Sequence, residues 1–209
     1  MLAIVDYGMA NLRSVQKAFE RLGAQAGGAT IVSTPEQVRS ADRLVVPGVG
    51  AFRDAARVLR DSGLGEAIVE HARRGRPMLG ICLGLQLLGD IGYEDGVHAG
   101  LGLVPGECVR FTVDQPPSHL KVPHMGWNAL QWDEQASPAL FRDLRPGAYV
   151  YFVHSYHFVP KDRAVIAATA TYGQPFVAAI AHENIMAVQF HPEKSQEVGA
   201  TILRNFAML

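Results

Sequence analysis

Cys82 is the residue of this sequence whose surroundings point most clearly to chemistry. It ends a short apolar run, has glycines two positions away on either side (Gly80 and Gly84), and precedes a second apolar run with helical spacing. This pattern predicts a strand, a tight turn and a helix with the thiol at the turn, the arrangement of a nucleophile elbow. Glycines suit so sharp a turn because a Cβ would collide with neighbouring backbone, and the positive end of the helix would favour the thiolate. The alternative is a small buried hydrophobic residue, the commonest role of a free cysteine.

A second motif lies near the end of the chain, where residues 187–193 read Ala-Val-Gln-Phe-His-Pro-Glu. Residues two apart in an extended chain share a face, so His191 and Glu193 are predicted to point the same way, and Pro192 ends the strand between them. A cysteine nucleophile requires a base that is oriented by a carboxylate. We therefore predict a triad of Cys82, His191 and Glu193. The alternative makes His191 a surface residue at a strand end and Glu193 a solvated loop charge.

The two motifs together resemble those of the triad, or class I, glutamine amidotransferases. Further segments are similar to the glutaminase subunits of imidazole glycerol phosphate synthase, and the resemblance runs from residue 3 to about residue 205. These segments are Asp-Tyr-Gly at 6–8, Asn-Leu-Arg-Ser-Val at 11–15, Pro-Gly-Val-Gly-Ala-Phe at 47–52, Pro-His-Met-Gly-Trp-Asn at 123–128, Tyr-Phe-Val-His-Ser-Tyr at 151–156 and His-Pro-Glu-Lys-Ser at 191–195.

The resemblance implies that the chain hydrolyses L-glutamine to glutamate and ammonia through a cysteine γ-glutamyl thioester. It implies delivery of the ammonia to a cyclase subunit of imidazole glycerol phosphate synthase, in a heterodimer that makes imidazole glycerol phosphate and AICAR in histidine biosynthesis. No cofactor is implied.

Two backbone segments are candidates for stabilising the oxyanion of the thioester-forming intermediate. One donor is the N–H of Leu83, the residue after the nucleophile. The other segment is Pro-Gly-Val-Gly at 47–50, where Val49 and Gly50 follow a predicted strand in the region where α/β sheets bind ligands. Glycines there let a peptide reorient at little steric cost. An ordinary strand-to-helix turn is the alternative, and the resemblance favours the oxyanion function.

The resemblance also implies a substrate site beside the elbow. Gln86 lies on an otherwise apolar helix, where it is either a surface amide or a substrate contact; the family places this glutamine in the substrate site. In the family, the segment at 154–156 binds the α-amino and carboxylate end of glutamine, largely through backbone. From the residues alone, His154 is a strand-end histidine with no special role. The residues predicted to contact substrate are Gly48, Gln86, His154, Ser155 and Tyr156.

Five residues would, by the resemblance, face the cyclase subunit: Asn11, Met125, Trp127, Tyr151 and Lys194. From the residues alone, Trp127 and Tyr151 would be core aromatics and Lys194 a solvated charge. Free ammonia protonates in water and loses its nucleophilicity, so the family passes it through a closed route into the partner. We therefore expect an interface around the exit of the glutaminase site.

Bulk properties restrict the other possibilities. The 209 residues suit one domain spanning 1–209, and a net charge of −1 gives no reason to expect nucleic acid or an anionic membrane. Two cysteines without framework spacing suggest a reducing compartment, and the chain is predicted to be cytoplasmic, with no membrane helix. No zinc-site spacing occurs among the histidines, and His119 with His124 is predicted to be an isolated pair in a loop.

The order of apolar runs predicts an α/β fold with a mostly parallel central sheet covered by helices on both sides, as in flavodoxin-like class I glutamine amidotransferases. Strands are predicted at 2–5, 43–46 and 78–81 with helices at 12–22, 52–60 and 64–73. Extra antiparallel strands are predicted in the second half, with strands at 107–112, 126–132, 149–153, 165–171, 176–181 and 185–190 and a helix at 197–207. Residues 115–118 are predicted to form a surface turn and not a domain linker, because Cys82 and His191 must meet across them.

The residues alone leave two competing functions open. One is the glutaminase subunit of another amidotransferase, anthranilate synthase or pyridoxal phosphate synthase, whose chains generally lack the segment at 123–128. The other is a non-catalytic elbow-cysteine domain of the redox-sensing or chaperone type, which keeps the cysteine turn but lacks the His-Pro-Glu motif. The presence of all three triad residues favours the glutaminase function.

Overall fold

The apolar runs of the sequence form thirteen strands and six helices in a computed structural model that describes residues 1–23, 28–114, 119–135 and 138–209. The strands are β1 (Leu2–Val5), β2 (Ala29–Val32), β3 (Arg43–Gly48), β4 (Met78–Cys82), β5 (Ile91–Gly92), β6 (His98–Ala99), β7 (Gly106–Arg110), β8 (His124–Ala129), β9 (Tyr149–His154), β10 (Tyr156–Pro160), β11 (Ile166–Tyr172), β12 (Gln174–His182) and β13 (Ile185–Val188). The helices are α1 (Leu12–Glu20), α2 (Pro35–Ser40), α3 (Phe52–Asp61), α4 (Leu64–Arg73), α5 (Leu83–Leu87) and α6 (Gln196–Ala207).

Seven strands form the central sheet, in the order β11-β12-β13-β4-β3-β1-β2. The pairs from β2 across to β13 are parallel, whereas β13 with β12 and β12 with β11 are antiparallel. The predicted mostly parallel sheet is therefore confirmed. The carboxyl ends of β3, β4 and β13 lie at one edge of the sheet, which is where ligands bind in open α/β sheets.

Alternating side chains of each central strand supply two separate hydrophobic cores. On one face Ile4, Val45 and Leu79 pack with helices α1 and α6; on the other, Val5 and Val46 pack with helices α2 to α5. Successive residues of a strand point to opposite faces of the sheet. The sheet is thus buried on both sides, which explains why its strands read as continuous apolar runs.

The second half adds two smaller sheets. Strands β10, β7, β5 and β6 form one, and β8 pairs with β9 in an antiparallel hairpin. The predicted extra antiparallel strands are thus confirmed. Among the described residues, no helix combines the length and apolar character that a membrane span requires.

Several predicted boundaries were wrong. The strand predicted at 126–132 ends at Ala129: the Leu130 N–H still bonds the Ala148 carbonyl, but Gln131 then pairs with Thr169 of β11. Strands β2, β5, β6 and β10 and helix α2 were not predicted. Helix α2 nevertheless carries a readable signal, since Thr34 and Gln37 form a capping box at its start. The turn predicted at 115–118 lies outside the described residues.

Helix α5 packs on strand β3 at a backbone-to-backbone contact. A Cβ on Gly84 would overlap the Val46 carbonyl and lie 3.0 Å from its carbon. Main-chain atoms of a central strand cannot move aside without disrupting the sheet. This glycine therefore sets how closely the helix after Cys82 approaches the sheet.

We expect Gly84→Ala to lower the free energy of unfolding by about 3 kcal/mol or more, because the added methyl group would clash with main-chain atoms of β3. Gly75→Ala is the matched control: Gly75 has φ +73° and nothing within 4 Å of an added Cβ, so it should lose only about 1 kcal/mol for the left-handed conformation. Urea unfolding of both variants checks this. Equal stabilities would show that the helix moves away at little cost.

Candidate active site

The turn at Cys82 has the geometry of the predicted elbow. Cys82 ends β4 and begins α5 with φ 55° and ψ −108°, a conformation that costs a non-glycine residue roughly 1–3 kcal/mol and persists where the surroundings enforce it. Gly80 permits the close packing around this turn, since a Cβ on it would lie 3.0 Å from Gly84 and from the Cβ of Ala187. The thiol is held at the carboxyl edge of the sheet, and Cys82 is only 7% exposed.

Strand β13 brings His191 to the same edge. It runs parallel to β4 with Ala187 opposite Gly80 and Val188 opposite Ile81. Beyond the strand, the His191 N–H donates to the Tyr151 carbonyl at 2.9 Å, and the Ser195 hydroxyl donates to the His191 carbonyl at 2.6 Å. These bonds fix the turn that carries the histidine, and His191 and Cys82 line one cavity.

His191 and Glu193 form a buried ion pair. The Nδ1 of His191 lies 2.8 Å from Oε1 of Glu193, and the two side chains are 3% and 2% exposed. Burial opposes a charge on the imidazole, but the Cys82 sulfur and the Glu193 carboxylate outweigh it and raise the pKa of His191 to about 9. The raised pKa favours the imidazolium form of the ring, which stabilises negative charge on a neighbouring sulfur. Its Nε2 makes no hydrogen bond within the described ranges, so the bond to Cys82 is not formed in this structure.

The cavity beside the thiol has a volume of about 300 Å³. It gathers most of the side chains and peptides that the sequence predicted to act on substrate. It is lined by Val49, Gly50, Cys82, Leu83, Gln86, Glu94, Pro123, Val153, His154, Ser155, Tyr156, His191 and Lys194. Gly48 and Glu193 lie just beneath, around a smaller void that His191 and Val49 also line.

The loop after β3 is in a conformation that withholds one predicted oxyanion donor. The Val49 N–H donates to the Met9 carbonyl at 2.8 Å. The start of the loop is fixed, since the buried Tyr7 hydroxyl donates to the Pro47 carbonyl at 2.8 Å. The other predicted donor, Leu83, is the first residue of α5, so its N–H has no partner within the helix.

Gln86 is not a surface amide, because it is buried and its side-chain nitrogen donates to the Tyr156 carbonyl at 3.0 Å. The same nitrogen lies 3.2 Å from Oε1 of Gln189, whose own nitrogen lies 3.7 Å from the Cys82 sulfur. Gln189 was not predicted as a site residue. The signal was a polar residue inside the otherwise apolar run at 185–190.

The prediction that His124 lies in an isolated loop pair was wrong. His124 is buried on β8, and its Nδ1 lies 3.3 Å from Nε2 of His154, which pairs with it across the β8–β9 hairpin. The Nδ1 of His154 donates to the Tyr156 carbonyl at 2.8 Å. Burial lowers the pKa of His154 to about 3 and that of His124 to about 4. Both rings are neutral at physiological pH and support the wall of the cavity.

Glu94 was also missed by the sequence analysis. One of its carboxylate oxygens accepts from the Phe52 N–H at the start of α3, at 2.6 Å, and the side chain reaches the cavity. A carboxylate there provides a partner for a cationic group of a ligand. The sequence does not distinguish Glu94 from a solvated loop charge, since its neighbours belong to a polar loop.

The residues predicted to face a partner are largely exposed. Met125 is 62% and Trp127 46% exposed on β8, so Trp127 is not a core aromatic. The Trp127 ring packs edge-on against Tyr151 at 6.0 Å, and the Lys194 ammonium lies 5.8 Å above the Tyr151 ring. Asn11 is exposed at the start of α1. Tyr149, 59% exposed on β9, extends this aromatic surface and was not predicted.

The two thiols should react very differently with a glutamine-like electrophile. Cys82 lines the cavity beside His191, whereas Cys108 is 1% exposed in β7 and burial raises the pKa of its thiol. We expect the reagent to label Cys82 and to spare Cys108 in the folded protein. Peptide mass spectrometry of the wild type checks this, with Cys108→Ala as the control that keeps full labelling. Equal labelling of both cysteines would contradict the difference in environment.

Acid should destabilise the protein through its buried neutral histidines. The pKa of His154 is about 3 in the folded chain and about 6.5 when unfolded. Its contribution to stability is therefore present above pH 6.5 and is lost as pH falls toward 3. Between pH 7 and pH 5 the wild type should lose about 2 kcal/mol more unfolding free energy than His154→Gln. His119→Gln, at an exposed position, should keep the wild-type dependence. Parallel curves for the wild type and His154→Gln would refute this assignment.

Comparisons with known proteins agree with this geometry. Residues 3–209 match the family described as glutamine amidotransferase class-I. The chain is 54% identical over 208 residues to imidazole glycerol phosphate synthase subunit HisH of Syntrophotalea carbinolica, covering 99% of this chain and 98% of that protein. It is 51% identical over 207 residues to the protein of the same name from Geobacter sulfurreducens, covering 98% of this chain and 97% of the relative.

Solved structures give the same fold at lower identity. A glutamine amidotransferase matches with a TM-score of 0.73 at 17% identity, covering 99% of each chain. PurLQS from Thermotoga maritima matches with a TM-score of 0.73 at 17% identity, covering 98% of this chain and 96% of that one. The chain belongs to the class I glutamine amidotransferases and, within them, to the family of the HisH subunits of imidazole glycerol phosphate synthase.

Proposed function

We propose that this protein is the glutaminase subunit of an imidazole glycerol phosphate synthase and that Cys82, His191 and Glu193 are its catalytic residues. The observation that supports this is the pairing of a thiol and a carboxylate-bound imidazole at one cavity, on an elbow and a strand end of the central sheet. The ammonia would serve a cyclase subunit in histidine biosynthesis. We further propose that 1–209 acts as a single domain, since the site draws on both halves. A cytoplasmic location stays a prediction.

In the proposed reaction the Cys82 sulfur, as the thiolate, attacks the γ-carbonyl carbon of glutamine. A C–S bond forms and the carbonyl electron pair moves to oxygen, where the Leu83 N–H stabilises it. The His191 imidazolium gives its proton to the leaving nitrogen, the C–N bond breaks, and ammonia departs from the thioester. The neutral imidazole then takes a proton from water, which attacks the thioester and releases glutamate and the thiolate. Glu193 holds the ring orientation and its charge throughout.

The cavity offers partners for the rest of the substrate. The Glu94 carboxylate is placed to pair with the α-ammonium group, and peptides of Ser155 and Tyr156 line the same space. The volume of about 300 Å³ suits one amino acid. Gln86 lies at the cavity wall, although its side-chain nitrogen is already used by the Tyr156 carbonyl.

The loop after β3 suggests how a partner would regulate the reaction. The Val49 N–H cannot serve an oxyanion while it donates to the Met9 carbonyl. Binding of the cyclase subunit and its nucleotide ligand would favour a reoriented peptide, with Val49 or Gly50 supplying the second donor. The proposed interface, comprising Asn11, Met125, Trp127, Tyr151 and Lys194, reaches the site through Lys194, which lines the cavity.

Ammonia release from glutamine tests the proposal. We expect the wild-type chain alone to be slow and to be accelerated about 100-fold by a matching cyclase subunit with its nucleotide ligand, a change of about 2.7 kcal/mol. Cys82→Ala should reduce glutamine hydrolysis by 10³-fold or more while synthesis from ammonium salt by the complex persists. Cys108→Ala is the matched control and should keep wild-type rates. Glutamine hydrolysis by Cys82→Ala near the wild-type rate would disprove the proposed nucleophile.

A further inference from the structure

Gln189 is a fully buried polar residue that the proposed reaction does not use. Its relative exposure is 0%, and it follows directly after β13. Because Val188 stands opposite Ile81 in the parallel pair, the next position along lies beside Cys82. Gln189 lies two positions before His191, and its side-chain nitrogen lies 3.7 Å from the Cys82 sulfur.

The surrounding hydrogen bonds determine which end of the amide faces the sulfur. The Tyr156 carbonyl can only accept, so the Gln86 side chain must present its NH₂ group to it at 3.0 Å. The same NH₂ group reaches Gln189 at 3.2 Å, where only an oxygen can accept. Gln189 must therefore turn its oxygen to Gln86, which leaves its own NH₂ group 3.7 Å from the Cys82 sulfur.

We propose that Gln189 is a positioning residue that donates a hydrogen bond to the Cys82 sulfur and favours its thiolate. A thiol is a weak acceptor, whereas bonds to an ionised acceptor are roughly twice as strong as neutral ones, so the donor favours the charged form. Helix α5 has only five residues, so its dipole gives the sulfur less support than a long helix would. The Gln189 amide supplies the Cys82 sulfur with a hydrogen-bond donor that does not depend on His191. The structure has no hydrogen bond between His191 Nε2 and this sulfur.

Other ionisable groups lie near the Cys82 sulfur, and a test of Gln189 must leave these side chains unchanged. The cavity holds His191, His154, Glu94, Lys194 and Tyr156, while burial, reinforced by charge on Cys82, raises the pKa of Tyr7 and that of Cys108. None of these is altered in the variants below.

Alkylation of Cys82 by iodoacetamide, followed from pH 5 to pH 10 in the full chain, tests the donor. Gln189→Met keeps the volume and removes the donor, and we expect a rate about 10-fold lower at pH 7, with the profile moved to higher pH. Gln189→Glu keeps the oxygen that serves Gln86 but places a carboxylate beside the sulfur, and we expect a still lower rate, by about 100-fold. Rates in this order support the proposal.

If Gln189 only links β13 to α5 and does not act on the sulfur, the alkylation rates of the two variants should rank in the reverse order. Gln189→Glu would then resemble the wild type more closely than Gln189→Met, and that result would overturn the proposal, as would a wild-type rate in Gln189→Met. Asn205→Leu is the control for losing a buried amide, because the Asn205 side chain donates to the Leu140 and Arg142 carbonyls and does not line the cavity at Cys82. It should lower stability and leave the alkylation profile unchanged.

One measurement needs no variant at Gln189. In the wild type, the side-chain amide protons of Gln189 should shift downfield in NMR spectra as the sulfur ionises, and this shift should vanish in Cys82→Ala. An identical titration in both proteins would overturn the proposal even if the Gln189 variants fail to fold. Because alkylation and NMR do not involve glutamine, failure here is distinguishable from failure of the proposed glutaminase function.

Discussion

The parallel register of β4 against β13 is the constraint on which the rest of the site depends. Cys82 leaves the end of one strand, and Gln189 and His191 follow the end of the other. A shift of one residue would turn every side chain of β13 to the opposite face of the sheet. Val188 and Ala187 belong to opposite hydrophobic cores, so such a shift would disrupt both. The packing that stabilises the fold therefore also sets the position of the base relative to the thiol.

The local parts of the site were predictable from sequence, whereas the parts that depend on tertiary packing were not. The elbow at Cys82 and the pairing of His191 with Glu193 involve residues close in sequence, and the structure has both. The extended chain from which the His191–Glu193 pairing was predicted was wrong, because β13 ends at Val188 and Pro192–Lys194 form a 3-10 helix. The parallel sheet followed from the order of apolar runs. The bond from Val49 to Met9 was not predictable, because it joins two loops that only the finished sheet brings together. His124 was misplaced for the same reason, since its partner is on the other strand of a hairpin.

The β8–β9 hairpin connects the exposed aromatic surface to the proposed base. Trp127 and Tyr151 pack together on the side proposed to meet the cyclase subunit, and the carbonyl of Tyr151 accepts from the His191 N–H. The Tyr151 N–H in turn bonds the Ser195 hydroxyl at 3.0 Å, which holds the His191 carbonyl. A displacement of β9 would therefore move the histidine through main-chain bonds and would not require a change in any side-chain conformation.

Two elements of the proposed catalytic geometry are incomplete in the same structure. Among the residues that the structure describes, His191 has no hydrogen-bond partner at Nε2, and the Val49 N–H donates to the Met9 carbonyl. Exchanging a backbone hydrogen bond for one to an oxyanion costs little overall, since a net bond contributes only about 1 kcal/mol. An activation of about 100-fold requires roughly 2.7 kcal/mol of differential binding by the partner. One hydrogen bond of that size accounts for only about fivefold of the activation, so the loop after β3 and the contact between His191 and Cys82 must change together when the partner that consumes the ammonia is bound.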